Sequence, residues 1–352
     1  MKKLLVLAGA AMLLGSETWA PSTPAAPLAG FSYSPLISEW AQRDPRADLG
    51  RLLEATSPDL VRLPVYWDSV EPSPTVLDFS EIDSLLSVVA QHNITAPNPT
   101  RVVLTIGARN FLYPELHMPA WAEPRSQPWL NEVMSQAPYR TYIDTSITRY
   151  RGSPLLYAWQ VENEAFDYVG NSVTGDDEIK PAQLAWEVAE VHRLDPAHEA
   201  VTTTFDGWNV AVDALQLYAA PALWLLHGYP SGHPGEMLQA GDVLGLDMYI
   251  DGPSTPLKFT PANLRAEWKQ QAISFWVTRA ATMRKDVWLA EMQAQPWSDT
   301  TGNFKPADLV ASAKDYRRDR LDVVLMWGVE TWLTDPAWMD AATQAIRALR
   351  SG

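Results

Sequence analysis

Two glutamates, Glu164 and Glu291, each close a run of apolar residues and could act as an acid, a base or a nucleophile. Glu164 ends the segment LLYAWQVENE (155–164), and Glu291 ends the segment VWLAE (287–291). Short apolar runs of this kind are typical of buried parallel strands, and barrel enzymes keep their chemistry at the carboxyl ends of such strands. Two carboxyl groups there can cleave a glycosidic bond with retention, because one protonates the leaving oxygen while the other attacks the anomeric carbon. That chemistry predicts carboxyl groups roughly 5–5.5 Å apart.

The strands and helices that position these glutamates can be predicted along the 352-residue chain. Apolar, β-branched or aromatic runs predict eight strands, at 31–34, 60–64, 102–106, 155–161, 201–205, 243–249, 287–291 and 323–327. Patterns with the helical period fill the gaps between them. Alternating strands and helices indicate βαβ units and a parallel sheet, and the absence of a Gly-x-Gly-x-x-Gly motif disfavours a dinucleotide-binding sheet. The sequence therefore predicts an α/β protein with a single (β/α)8 TIM barrel over residues 30–352.

The Asn-Glu pair at 163–164 and the single glutamate at 291 resemble the active-site strands of a large clan of (β/α)8 glycoside hydrolases. That clan includes the cellulase family (family 5) and several β-galactosidase families. The segment QVENE (160–164) is also similar to the acid/base strand of the family 35 β-galactosidases, so the substrate class does not follow from it. The resemblance implies that Glu164 is the general acid/base and that Glu291 is the nucleophile.

Further residues match positions that the same family uses around its glutamates. Arg62 matches an arginine that hydrogen-bonds the nucleophile and keeps it ionised, and Tyr249 matches a tyrosine that holds the nucleophile through its hydroxyl. By the same resemblance Asn163 would donate to the 2-hydroxyl of the sugar, and Trp327 would form the floor of the sugar subsite. The chain departs from the cellulase family at Asp247, where a histidine is usual. This departure argues against close membership of the cellulase family. It also implies that different contacts hold the nucleophile in place.

Weaker candidates lie in the loops that follow predicted strands. Trp67 and Trp297 are two of sixteen tryptophans, and their rings could stack on a sugar, although packing in the core is an equal alternative. For His227 a hydrogen bond to sugar or backbone is favoured over a metal site. The Pro- and Trp-rich segment 111–136 is predicted to be an active-site loop. The scattered histidines predict neither a metal ion nor another cofactor.

Charge, cysteine content and the amino-terminal residues restrict the partners and the compartment. The formal charge of −15 argues against nucleic acid and anionic membrane surfaces as partners, and the lack of cysteine excludes disulfides and a thiol nucleophile. Residues 1–20 combine a positive start with a short apolar stretch, which predicts a secretory signal, and residues 21–29 read as a Pro/Ala spacer. We therefore expect a secreted or periplasmic protein, monomeric and without membrane association once the signal is removed.

Together these patterns predict a secreted retaining β-glycoside hydrolase that acts on β-linked glucan or mannan. An exo-acting β-galactosidase-like enzyme with the same mechanism is the nearest alternative. A catalytically inactive barrel that binds carbohydrate is an alternative of another class, although the two intact glutamates argue against it. A metal-dependent hydrolase would need clusters of histidine or aspartate at strand ends, which the sequence pattern does not contain.

Overall fold

A computed structural model describes residues 26–112, 115–122, 130–166, 179–205, 233–250, 262–296 and 304–351. Eight parallel strands in these residues close into a barrel in chain order, with the last strand paired to the first. They are β1 (Leu28–Ser32), β2 (Leu60–Pro64), β3 (Arg101–Ile106), β4 (Leu156–Val161), β5 (Ala200–Phe205), β6 (Val243–Met248), β7 (Asp286–Gln293) and β8 (Val323–Trp327). The predicted (β/α)8 barrel is confirmed.

The described residues also form twelve helices that connect the strands. They are α1 (Pro35–Trp40), α2 (Pro45–Thr56), α3 (Trp67–Val70), α4 (Ser80–Asn93), α5 (Leu130–Met134), α6 (Ala137–Tyr150), α7 (Pro181–Leu194), α8 (Pro234–Ala240), α9 (Ala262–Met283), α10 (Pro306–Tyr316), α11 (Val329–Thr334) and α12 (Pro336–Arg350). None of these helices is long and apolar enough to cross a membrane.

Helix α12 shows how local sequence determines a helix and its packing. Asp335 caps its amino terminus, because the Oδ1 atom accepts a hydrogen bond from the backbone N–H of Ala337 at 2.9 Å. Pro336 occupies the first turn, where its missing N–H costs nothing. Buried side chains then recur at helical spacing, from Trp338 to Leu349. The apolar stripe packs against the outer face of the barrel core.

The first strand differs from the sequence-based prediction. It begins at Leu28 and ends at Ser32, because Ser34 turns the chain into α1 by accepting a hydrogen bond from the backbone N–H of Leu36. Leu28 and Ala29 therefore belong to the barrel and not to the spacer predicted up to residue 29. The predicted signal segment 1–20, and the spacer up to residue 25, lie outside the described residues.

The interior of the barrel changes from apolar to polar along the strands. Near the amino-terminal ends it is filled by an apolar layer of buried side chains: Leu60, Val103, Ala158, Val201, Val243, Trp288, Val323 and Leu325. Inward positions on a strand recur every second residue, and the next ones on β2 to β5 are polar and buried: Arg62, Thr105, Gln160 and Thr203. The apolar layer thus supports a polar layer that faces the carboxyl-terminal opening, where barrel enzymes hold their chemistry.

Candidate active site

Glu164 lies in a turn beyond β4, which ends three residues earlier at Val161. The predicted end of this strand at residue 161 is confirmed. Glu162 and Glu164 both adopt left-handed backbone conformations, with φ of 59° and 46°, and such strain in non-glycine residues clusters at functional sites. The backbone N–H of Glu164 donates to the Thr203 hydroxyl at 3.2 Å. The turn re-aims Glu164 from the direction that a continued strand would give it.

The buried carboxylate of Glu162 anchors this turn from below. It accepts hydrogen bonds from the backbone N–H groups of Ala108 at 2.9 Å and Arg109 at 2.6 Å, and the Tyr139 hydroxyl lies 2.7 Å from it. Gly107 has a φ of 127°, and a Cβ atom there would lie only 2.4 Å from the Glu162 carboxyl carbon. Glycine is therefore required at residue 107 for the loop after β3 to hold the turn.

Glu291 is buried on β7 and is bound by Arg62 on β2 and by Tyr249, which follows the last residue of β6. Arg62 Nη2 donates to its Oε1 atom at 2.6 Å, and the Tyr249 hydroxyl donates to its Oε2 atom. The pairing of β7 with both neighbouring strands shifts register near this residue, and such irregularities re-aim side chains beside active sites. Burial raises the pKa of the Glu291 carboxyl, while the charge of Arg62 and the hydrogen bonds from Tyr249 and Arg62 oppose that rise.

Arg62 is held in one orientation on all sides. Its side chain has no exposed surface, and besides Glu291 it donates to the Ser32 hydroxyl at 2.7 Å and to Gln160 Oε1 at 2.8 Å. The guanidinium carbon lies 4.2 Å from the centre of the Phe111 ring, a cation–π distance. These contacts fix the Arg62 guanidinium beside the carboxylate of Glu291.

Asn163 joins the same network through its amide oxygen. Gln160 Nε2 lies 3.0 Å from Asn163 Oδ1, and the Thr203 hydroxyl lies 3.3 Å from the same atom. Gln160 thereby connects Asn163 to Arg62. With Oδ1 facing these donors, the amide nitrogen of Asn163 faces another direction.

Tyr249 and Trp327 meet beside Glu291. Their rings lie edge to face with centroids 5.8 Å apart, and the Trp327 indole N–H donates to the Phe111 carbonyl at 2.8 Å. Asp247 is paired in register with Glu291 across β6 and β7. Burial and the charge of Glu291 raise the pKa of the Asp247 carboxyl well above its ordinary value. Residues from separate strands thus converge on one end of the barrel.

Among the weaker candidates, Trp67 is described by the structure and does not belong to this site. Trp67 is completely buried, its indole N–H donates to Glu71 at 2.9 Å, and its ring packs 4.9 Å from the Tyr139 ring. A side chain without exposed surface cannot contact a sugar, so Trp67 serves the core. Trp297 and His227 lie outside the described residues. The predicted loop 111–136 contains α5, and parts of it also lie outside the described residues.

Sequence reasoning missed four residues that build the site: Ser32, Phe111, Gln160 and Thr203. Gln160 and Thr203 carried a signal, since each lies two residues after an interior apolar residue and so faces the barrel interior. Phe111 begins the segment predicted to be an active-site loop, but only the folded loop shows that its ring packs on Arg62. The described residues contain no group of three or more histidine, aspartate or glutamate side chains that could hold a metal ion.

A second pair of carboxyl groups lies beneath the site, outside the barrel. The Tyr139 hydroxyl is 2.7 Å from both Glu162 Oε1 and Glu187 Oε1, and one hydroxyl proton cannot be donated to both. Burial, and then the charge of Glu162, raise the pKa of the Glu187 carboxyl well above its ordinary value. The folded protein therefore keeps a proton on Glu187 at a pH where the unfolded chain has released it.

We expect Glu187→Gln to reduce the loss of stability that the wild type shows as pH rises. Between the ordinary glutamate pKa of about 4.3 and the raised folded-state pKa, the wild type loses up to about 1.36 kcal/mol of unfolding free energy per pH unit from this group. Glutamine carries a permanent N–H donor and has no proton to lose. Urea unfolding at a series of pH values measures the slope. Glu190→Gln, on the same helix but in a surface ion pair with Arg193, is the control, and an unchanged slope in Glu187→Gln contradicts the prediction.

Comparison with known proteins identifies the fold. No protein-family model and no curated protein sequence matches the chain. A solved structure of a GH5_18 protein from Streptomyces cattleya in complex with GlcNAc has a TM-score of 0.65 at 17% identity, over 93% of this chain and 81% of that one. The structure of xylanase 10B from Thermotoga petrophila in complex with xylobiose has a TM-score of 0.56 at 15% identity, over 86% of this chain and 82% of that one.

A third similar structure is the β-galactosidase of the psychrophilic Marinomonas ef1. It has a TM-score of 0.57 at 12% identity, over 91% of this chain and 59% of the other. At such identities the similarity shows the fold alone. The chain has the (β/α)8 fold of these glycoside hydrolases, as the sequence resemblance predicted.

Proposed function

We propose that the protein is a retaining β-glycoside hydrolase that works by double displacement. The observation that carries the proposal is the environment of Glu291, which is buried and yet bonded to a buried arginine and a tyrosine hydroxyl. These donors favour the ionised form that a nucleophile needs. A second glutamate, Glu164, follows β4 at the same end of the barrel.

Each residue has a role in the proposed reaction. Glu164 gives its proton to the glycosidic oxygen while Glu291 attacks the anomeric carbon, and a covalent glycosyl-enzyme forms. Glu164 then takes a proton from the water that cleaves the intermediate. Asn163 donates from its amide nitrogen to the 2-hydroxyl, and the half-buried face of Trp327 supports the sugar ring.

The proposed substrate is a β-linked glucan or mannan. A GH5_18 variant from Streptomyces cattleya, whose fold this chain shares at 18% identity, was solved in complex with Manβ1-4GlcNAc, which favours a β-mannoside or related sugar. A β-galactoside is the second candidate substrate, because two β-galactosidases have a similar fold. Secretion is part of the proposal and rests on the sequence of residues 1–20; the proposal also takes the protein to be a monomer.

A panel of aryl β-glycosides and β-linked polysaccharides tests the proposed function. We expect turnover of at least one β-mannoside, β-glucoside or β-galactoside, and NMR of the first-formed product should show the β-anomer. A product of inverted configuration contradicts double displacement. Sugar binding without turnover on any member of the panel supports the inactive barrel instead.

A further inference from the structure

Arg109 is a buried cation that lies next to the turn of Glu164. It follows the last residue of β3, Ile106, by three positions, and its side chain has no exposed surface. Burying a guanidinium away from water costs free energy unless hydrogen bonds and a negative charge compensate for it. The groups that Arg109 binds therefore indicate its role.

The guanidinium of Arg109 divides its hydrogen bonds between a carboxylate and a backbone carbonyl. Its Nη2 atom donates to Glu115 Oε2 at 2.5 Å, and its Nε atom donates to the carbonyl oxygen of Asn163 at 3.0 Å. Glu115 is partly exposed, so an ion pair with it would not require the arginine to be buried. The bond to Asn163 is itself buried, and it accounts for the inward position of the cation.

The peptide group that joins Asn163 to Glu164 is held at both of its ends by side chains from other parts of the barrel. Arg109, after β3, donates to its carbonyl oxygen, and the Thr203 hydroxyl, on β5, accepts from its N–H group at 3.2 Å. Because a peptide group is planar and rigid, fixing its oxygen and its nitrogen fixes the whole plane. That plane, together with the left-handed φ of 46° at Glu164, sets the direction in which the Glu164 side chain leaves the backbone.

The backbone of Arg109 holds the other side of the same turn. Its N–H group donates to the Glu162 carboxylate at 2.6 Å, so one residue binds the turn through both its backbone and its side chain. The loop after β3 also folds back on itself. Arg109 forms an antiparallel bridge with Leu116, and the N–H of Asn110 donates to the carbonyl of Glu115 at 2.8 Å. These bonds fix the backbone of Arg109 where its side chain meets the turn.

We propose that Arg109 is a positioning residue for Glu164, which it orients by its hydrogen bond to the carbonyl of Asn163. This inference rests on the proposed function, in which Glu164 is the acid/base. A general acid is effective only when it lies within hydrogen-bonding reach of the glycosidic oxygen in the reacting geometry. Glu164 lies beyond the last residue of β4, so its position depends on bonds such as these and not on the strand ladder.

The test is Arg109→Met, which keeps an unbranched apolar stem and removes the donors. Its substrates are aryl glycosides of the sugar that the panel selects. We expect kcat/KM for the phenyl glycoside, whose leaving group needs an acid, to fall about 10–100-fold. The value for the dinitrophenyl glycoside should change little, because that leaving group departs without a proton. General damage to the structure would lower both values alike, so an equal loss with the two leaving groups, or no loss with either, overturns the proposal.

The matched control is Arg350→Met. Arg350 carries the same combination of bonds, to the Asp59 carboxylate at 2.9 Å and to the Ser57 carbonyl at 2.6 Å, but these two residues precede β2 at the amino-terminal end of the barrel. Its removal should lower stability and leave the ratio of the two kcat/KM values unchanged. If Arg350→Met changes this ratio as much as Arg109→Met does, the ratio reports stability and the proposal fails.

A conservative variant gives a graded result. Arg109→Lys keeps a cation beside Glu115, but a single ammonium cannot bind Glu115 and Asn163 with the separate donors of a guanidinium. Its loss with the phenyl glycoside should therefore lie between those of wild type and Arg109→Met. If Arg109→Met does not fold, the contrast between the two leaving groups in Arg109→Lys decides the question in the same way.

Hydrogen exchange separates this inference from the proposed function, because it needs no turnover. In the Arg109 variants the Glu164 amide should exchange at least about tenfold faster than in wild type. The Trp159 amide within β4, which donates to the Glu199 carbonyl at 2.9 Å, should keep its rate. Equal acceleration of both amides, or none at Glu164, overturns the positioning role. If the wild type hydrolyses no glycoside, the proposed function fails, while the exchange rates still decide whether Arg109 holds the turn.

Discussion

Glu291→Ala is expected to lower turnover of every β-glycoside by at least about 10⁴-fold, because no other group can form the glycosyl-enzyme. Arg62 and Tyr249 both direct hydrogen bonds to this carboxylate, so the alanine variant also removes the acceptor of both bonds. Glu291→Gln is the matched control, since it keeps the size and an acceptor oxygen but cannot attack. Steady-state rates and circular dichroism of both variants separate lost chemistry from lost folding. Appreciable turnover by a folded Glu291→Gln enzyme contradicts the role.

Glu164→Ala should behave differently, and the contrast assigns the two roles. Substrates whose leaving group needs protonation should lose about 10²–10⁴-fold in rate, whereas a dinitrophenyl glycoside should still form the intermediate rapidly. Added azide should then speed the breakdown of the accumulated intermediate, because a small anion fits the space left by Glu164 and attacks without a base. If azide instead restores Glu291→Ala and gives a product of inverted configuration, the roles are reversed.

The fold could be predicted from sequence because its signal is local. Each strand of a parallel barrel is buried on both faces and appears as an apolar run, and eight such runs alternate with helical patterns. The prediction of strand ends fails where a local interaction ends the strand. Ser34 caps α1 and thereby ends β1 at Ser32, and the apolar pattern contains no information on that cap.

A site residue was predictable where its position along a strand determines whether its side chain points into the barrel. Arg62 points inward because it lies two residues after the interior Leu60, and the period is visible in the sequence. The turn at Glu164 was not predictable, because the Glu162 carboxylate that holds it binds the backbone of Ala108 and Arg109, more than fifty residues earlier. The sequence left Trp67 open between the core and a sugar contact for a similar reason, since its aromatic neighbours come from α6 and from the loop after β3.

Arg62→Met is expected to lower both stability and activity strongly. Removing one partner from a buried ion pair leaves an uncompensated charge and costs about 3–5 kcal/mol of unfolding free energy. Burial then raises the pKa of Glu291 without the opposition of Arg62, so the nucleophile keeps its proton to a higher pH than in the wild type. We expect the acid limb of the kcat/KM profile to move to higher pH, as measured on an activated aryl glycoside.

A double variant distinguishes the buried charge from the packing of the arginine. Arg62→Met combined with Glu291→Gln removes both charges, so it should recover most of the stability that the single variant loses, although it has no activity. Arg62→Lys keeps a cation near Glu291 but cannot reproduce the separate bonds to Ser32 and Gln160, and it should fall between wild type and Arg62→Met in both measurements. If the double variant is no more stable than Arg62→Met, the loss comes from the packing of Arg62 on Phe111 and its neighbours.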